Sequence, residues 1–320
     1  MRRLLAALLL ALLAWPTAAR AEDALRLCGP PVVESLPLVA MAHQGSLPGT
    51  RLKTSFAPWR SPDQLRALVA GSQADVVLVT IATAAVLRVR GVPCRVLAVM
   101  APPVWLVSAD PQVRQLNDLA GREVLLPFGP GEMPALLLAS IARAQRVELT
   151  TRQAGSALEA VNLLALGRAP AALLSEPAAS LALTKAAGLK GGRALYKSVD
   201  LRRAWARAFP QSPLLATTAL AMVGPRARQP EICAAMAAAF RAQCAWVKQH
   251  PKQARALAHT GFPALAVQLR EGAPPGQDIH LLSGREGKAA SLFFLERLHE
   301  SSPAATGGVR PDMSLWESGP

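Results

Sequence analysis

Asp75-Val76-Val77-Leu78-Val79-Thr80 runs without a break into Ile81-Ala82-Thr83-Ala84-Ala85-Val86-Leu87-Arg88-Val89-Arg90. Val76 to Val79 are four consecutive branched aliphatic residues with no polar position among them. That pattern marks a strand covered on both faces, as in a parallel sheet. The residues from Ile81 to Arg90 then read as a helix. A doubly buried strand feeding directly into a helix is the βα unit of an α/β lobe.

The same alternation extends outward from this stretch. Upstream, Ala24–Gly29 and Arg51–Ala57 read as strands, and Ser35–Gln44 and Ser61–Gly71 as helices. The second of these helices opens on Ser61-Pro62-Asp63-Gln64, which supplies a capping serine, a proline at the first helical position and a capping glutamine. Downstream, Cys94–Met100 is a further strand. A second alternating block follows. Asn117 or Asp118 caps a short turn; Glu123–Phe128, Val147–Thr151, Ala171–Ser175 and Arg193–Val199 are strands; Glu132–Gln145, Ser156–Gly167 and Pro177–Ala187 are helices. A long helix runs from Glu231 to His250 and another begins at Pro251. Ser301 to Pro320, rich in Gly, Pro and Ser, is expected to wrap the surface as a tail.

Two extended apolar runs, Val104–Ala109 and Leu214–Val223, bracket the second block. If both connect the same two lobes, the first lobe is discontinuous, Glu22–Pro103 plus Leu215–Pro320, and the second is an insertion, Val104–Leu214. Two crossings make a hinge that permits closure around a ligand. Ordinary tandem domains are the alternative, weakened by a helical C-terminal third that does not make a separate α/β fold.

The first residues read as a secretory signal peptide, residues 1–21. Arg2 and Arg3 are followed by an apolar run from Leu4 to Trp15 and by Ala19-Arg20-Ala21, with cleavage after Ala21. Twelve apolar residues span only ~18 Å as a helix, short of the ~30 Å hydrocarbon core. The mature chain is therefore expected in the periplasm. Its formal charge is +14 as encoded, and loss of Arg2, Arg3 and Arg20 leaves +11. The positive residues are scattered, without a basic run interleaved with aromatics, so a nucleic-acid partner is not expected. Of the four cysteines, Cys233 and Cys244 share one helix at about 16 Å, too far for the ~4.4–6.8 Å of bridged Cα atoms. Cys28 and Cys94 either form a bridge or are two buried free thiols. No cysteine spacing resembles a zinc site.

Four stretches in this order resemble the type II periplasmic binding proteins. They are Leu36-Pro37-Leu38-Val39-Ala40, Ala74-Asp75-Val76-Val77-Leu78-Val79-Thr80, Asp118-Leu119-Ala120-Gly121-Arg122-Glu123-Val124 and Ser175-Glu176-Pro177. More narrowly, they resemble the nitrate, sulfonate, taurine and bicarbonate family of ABC-transporter substrate-binding proteins, whose fold is shared by thiamine-pyrimidine precursor binders. Gly307-Gly308-Val309-Arg310-Pro311-Asp312 also resembles tails of a subset of that family. The likeness implies a two-lobed α/β fold with two hinge crossings and a small-molecule ligand held between the lobes. It also implies a monomer that hands the ligand to an ABC permease in the inner membrane. An exported sensor or accessory factor without transport needs the same cleft and remains an alternative.

In open α/β sheets ligands sit beyond the carboxyl ends of strands and near helix N-termini. Gly29, Pro30 and Pro31 follow the first strand, with Ser35 as the cap of the next helix; this loop either holds a carbonyl or anion or is simply a tight turn. Trp59 follows the second strand and offers a ring face to a ligand or to the core. Thr80, Ile81 and Thr83 end the third strand and open a helix. In the second lobe Phe128, Gly129, Gly131, Glu132 and Met133 join a strand to a helix N-terminus. Glu132 departs from the family, whose members often carry a small hydroxyl residue there. Its carboxylate competes with an anionic ligand for the helix amides, which favours a neutral or cationic ligand. Glu176 either pairs with a ligand amine or ring N–H or acts as a first-turn acid, worth ~0.3–1 kcal/mol. The five histidines, at positions 43, 250, 259, 280 and 299, do not cluster in the sequence, and no hydrolase, phosphate-loop or dinucleotide motif is present. No catalytic residue, metal ligand or cofactor is expected. An enzyme of pyrimidine synthesis on the same fold is a weaker reading, since the cysteine-rich segment it needs is lacking.

Overall fold

The computed structural model describes residues 24–266, 279–282 and 284–317; the expected signal segment lies outside them. Strands β1 (Ala24–Gly29), β2 (Lys53–Pro58), β3 (Val76–Thr80) and β4 (Cys94–Met100) alternate with helices α1 (Leu36–Gln44), α2 (Pro62–Ala70) and α3 (Ile81–Val89). The chain then lays down β5 (Val104–Ser108), β6 (Glu123–Leu126), β7 (Thr150–Gln153), β8 (Ala171–Ser175) and β9 (Tyr196–Asp200). Helices α4 (Met133–Gln145), α5 (Ala157–Ala165) and α6 (Ala178–Gly188) lie between the last four, and α7 (Leu201–Ala208) follows β9. It returns for β10 (Thr218–Val223) and continues through helices α8 (Pro230–Gln249), α9 (Pro251–Gly261), α10 (Pro263–Ala266) and α11 (Gly284–Ser301).

These strands form two five-stranded sheets, in the orders β2-β1-β3-β10-β4 and β7-β6-β8-β5-β9. In the first, β1, β2 and β3 are parallel and β10 runs against both β3 and β4. In the second, β6, β7 and β8 are parallel and β5 opposes β8 and β9. This is the α/β, two-sheet architecture that the alternation implied. Val76 and Leu78 face one core, beneath α1 and α8; Val77 and Val79 face another, beneath α3. Each side of β3 is therefore covered, which is why its sequence shows no polar alternation.

The second of these cores does not stop at the first sheet. It continues through Leu106, Leu137 and Ile141 of the second sheet layer to Trp205 and Phe209, which meet Phe293 and Phe294 of α11. Trp205 and Phe294 are fully buried, with their rings 5.4 Å apart in an edge-to-face arrangement.

Local rules explain most element ends. Ser61 Oγ accepts from Gln64 N at 3.2 Å, as the capping sequence required. Ser35 does not cap α1: its backbone is already helical, and its hydroxyl donates to the Pro30 carbonyl at 2.7 Å instead. Strand β7 begins at Thr150 rather than Val147, because Arg146 adopts a left-handed conformation and Val147 N closes the end of α4 onto Ala142 O. Likewise β10 begins at Thr218, four residues after the extended run that contains it. Helices α7 and α11 were not expected. The tail does more than wrap the surface: it forms short turns at Pro303–Thr306 and Met313–Trp316, and Leu315 and Trp316 join the core.

All four cysteines are free and buried. Cys28 on β1 and Cys94 on β4 are separated by β3 and β10. Three interstrand steps put them about 14 Å apart, which rules out the bridge. No described helix is long and apolar enough to cross a membrane.

Candidate functional site

The strand registers fix where the expected residues lie. Thr80 stands opposite Thr218, which stands opposite Met100, so the last residue of β4 is level with the carboxyl end of β3. Across the crossing, Val104 stands opposite Ser175, level with the carboxyl end of β8. Only Ala101, Pro102 and Pro103 lie between, and four Cα steps span at most about 15 Å. The carboxyl ends of both parallel sets are thus tethered near each other.

On the first side, Trp59 N donates to Gly29 O at 3.0 Å, and a Cβ on Gly29 would sit 2.4 Å from Ser35 Oγ. Glycine is required there by close packing against Ser35. The Trp59 ring packs half-buried on the core, and its indole Nε1 has no hydrogen-bond partner among the described residues. Thr80 caps α3, accepting from Thr83 N at 3.1 Å, and the two hydroxyls bond each other at 2.8 Å. Ile81 N donates to the carbonyl of Thr217 at 2.9 Å. Of the first three amides of α3, only that of Ala82 is left for a ligand.

On the second side, Phe128 and Gly129 lead from β6 into the Gly131-Glu132-Met133 loop. Glu132 has an extended backbone at the N-terminus of α4, and its side chain makes no cap bond. Its carbonyl takes both Ala135 N and Leu136 N, at 3.1 and 3.2 Å, and Pro134 has no N–H. Met133 therefore holds the single open amide of this terminus. The site offers one free N–H per helix and a half-buried carboxylate beside the second, which is a poor cradle for an anion.

Glu176 lies just past β8, beside the crossing, and is 5% exposed. Its Oε2 accepts from Ser180 N at 3.2 Å, and Oε1 is paired with the ammonium of Lys197. Lys197 also donates to Ser180 Oγ at 2.9 Å and sits 5.7 Å from the centroid of the Trp105 ring. Lys197, Trp105, Ser180 and Thr217 were all missed by the sequence reading. A lysine inside a strand, Tyr196-Lys197-Ser198-Val199, was the one available signal, because a charge on a packed strand needs a partner.

A cavity of about 680 Å³ runs along the flank of α4, between Pro130, Ala135, Leu138 and Thr151. None of the expected ligand residues lines it, and it does not reach the crossing. Among the described residues no cluster of potential metal ligands occurs.

No family model matches the sequence, and no curated protein matches it. Solved structures do. A structure described as an ABC transporter from Parabacteroides distasonis superposes with a TM-score of 0.73 at 22% identity, covering 92% of this chain and 98% of that one. The periplasmic aliphatic sulphonate binding protein SsuA of Escherichia coli gives 0.65 at 18%, covering 92% and 91%. The periplasmic nitrate-binding protein NrtA of Synechocystis PCC 6803 gives 0.64 at 12%, covering 89% and 84%. Identities this low carry the fold and not the ligand, and the fold of this chain is the two-lobed α/β fold of periplasmic binding proteins of ABC transporters.

Proposed function

We propose that the protein is a periplasmic solute-binding protein that captures a small neutral or cationic ligand between two lobes and delivers it to an ABC permease in the inner membrane. It is exported by a signal peptide cleaved after Ala21. The lobes are 22–103 with 215–320, and 104–214. Its action is binding and closure, without a covalent step. The observation that carries this reading is the tethering of two sets of carboxyl strand ends, each followed by a helix N-terminus, across the three residues Ala101 to Pro103.

The ligand class follows from the charges at that junction. Glu132 makes no cap bond on its own helix, whereas the carboxylate of Glu176 is neutralised by Lys197. The expected ligand residues include no cation, and Lys197, the lysine beside Glu176, is held in that pair rather than left to balance an oxyanion.

A thermal-shift panel on residues 22–320 tests this, with choline, ethanolamine, cytosine, uracil, methanesulfonate and nitrate as probes. A ligand at 100 times its Kd adds ~2.7 kcal/mol to the folded state, equivalent to about 5 °C in Tm for a chain of this size. A response to an amine or pyrimidine is expected. A response to nitrate or methanesulfonate alone removes Glu132 from the site, and a flat panel overturns the capture reading.

A further inference from the structure

Thr217 lies on the segment that returns from the second sheet to the first, one residue before β10. It is fully buried, and its hydroxyl has no hydrogen-bond partner among the described residues. Leaving a buried hydroxyl unpaired is unfavourable, so such a group in a binding fold points to a partner from outside the chain. Its position is set by two observations. Its carbonyl accepts from Ile81 N at 2.9 Å, so Thr217 abuts the first turn of α3. Ala219, Ala221 and Val223 of β10 face the core beneath α3, while Leu220 and Met222 face the opposite one. Strand alternation therefore puts the Thr217 side chain on the α3 face, beside the one amide of that terminus left open.

The polar groups gathered there are all uncharged. Three hydroxyls, from Thr80, Thr83 and Thr217, share one internal bond. One N–H, from Ala82, stands with them. Hydroxyls that both donate and accept match a carbonyl flanked by N–H groups better than they match a full charge, for which these four groups supply no counter-ion. Resting on the capture reading, we propose that Thr217 is a ligand-contacting, specificity-determining residue. Together with Ala82 N–H and the Thr80–Thr83 pair, it receives the carbonyl of an uncharged amide, urea or cyclic ureide. The N–H groups of the same ligand then suit Glu132 across the crossing. Because Thr217 sits on a crossing segment, the contact ties ligand occupancy to the strand on which the lobes turn.

Thr217→Val removes the hydroxyl at nearly constant volume, and Thr217→Ser keeps it. Both variants are compared with the wild type, by melting without ligand and by titration calorimetry with uracil and acetamide. The expected result is an unchanged or raised melting temperature for the ligand-free Val variant, with at least about a tenfold loss of affinity for the responding probe. The Ser variant should stay within about threefold. A Val variant that melts lower and binds as well as the wild type makes Thr217 a packing residue, with the capture reading intact. A wild type that answers choline or methanesulfonate but neither uracil nor acetamide overturns the uncharged-carbonyl assignment. A wild type that answers no probe of the whole panel takes down the capture reading itself.

Discussion

Replacing Phe294 by alanine tests whether the two sheets melt as one body. Phe294 is on α11, fully buried, and meets the edge of Trp205 on α7 at 5.4 Å; Phe293 and Phe209 complete the group, with ring separations from 4.3 to 6.1 Å. The group joins the C-terminal helix to the second sheet layer, and Arg143 to Ser301 and Gln145 to Ala204 add polar contacts nearby. Truncating a fully buried phenylalanine costs about 3–5 kcal/mol through lost transfer energy and a residual cavity. Of this, about 0.5–1.5 kcal/mol belongs to the aromatic pairing itself. A chain this long loses about 2 °C per kcal/mol, so the melting temperature should fall by about 6–10 °C. Differential scanning calorimetry should show one transition in the wild type and one in the variant, because the core runs unbroken from β3 to Trp205. Leu158→Ala, at a residue 53% exposed, should move Tm by less than about 1 °C. Two wild-type transitions, only one of which responds to Phe294→Ala, would falsify the shared joint.

Other perturbations read out single contacts. Lys197→Met leaves the buried Glu176 carboxylate without its partner and should destabilise by about 2–4 kcal/mol; adding Glu176→Gln should recover part of that in denaturant titrations, and simple additivity would argue against the pair. Gly29→Ala drives a Cβ against Ser35 Oγ and the bond to Pro30. It should cost about 1–3 kcal/mol, and less when Ser35 is also alanine, as chemical denaturation will show. Asp110 is held below the usual carboxylate range by Arg122, and Asp118 by the amides of Arg114 and Gln115. A carboxylate lowered on folding stabilises above its unfolded value, about 3.9, and loses that contribution as pH falls through its folded value. Asp118→Asn should therefore lower Tm near neutral pH and flatten the descent below about pH 4; an unchanged slope counts against the turn. Burial pushes the thiols of Cys94 and Cys244 up to about 12 and that of Cys28 to about 11. At about pH 8 a thiol-disulfide reagent should meet almost no thiolate until denaturant is added; rapid native labelling of several cysteines would contradict the packing.

The parts of this fold that were legible in the sequence are those in which local chemistry and tertiary packing agree. Val76 to Val79 announced a doubly covered strand, and its two faces are buried in two separate cores. Ser61 announced a cap and makes it. Helix α7 was hidden because Arg202, Arg203 and Arg207 sit among eight residues, and only the spacing of Leu201, Ala204 and Trp205 marks a buried face. The Arg146 turn was hidden because nothing in a non-glycine residue advertises a positive φ.

At the candidate site the same division holds. Backbone features such as strand ends, helix starts and the glycine beside Ser35 follow from short-range patterns. Charge pairing does not, because the two partners belong to elements far apart in the chain. Glu176 read from sequence either as a partner for a ligand amine or as a first-turn acid; it accepts from Ser180 N of the helix it precedes, and the fold also brings Lys197 to it from β9. Glu132 read from sequence as a competitor of an anionic ligand, and its side chain makes no cap bond on α4. The two carboxylates thus differ both locally and at long range: Glu176 accepts from Ser180 N and is paired with Lys197, whereas Glu132 makes no cap bond. Which of the two carboxylates carries an ion pair is therefore set by topology, through the strand that brings Lys197 to Glu176.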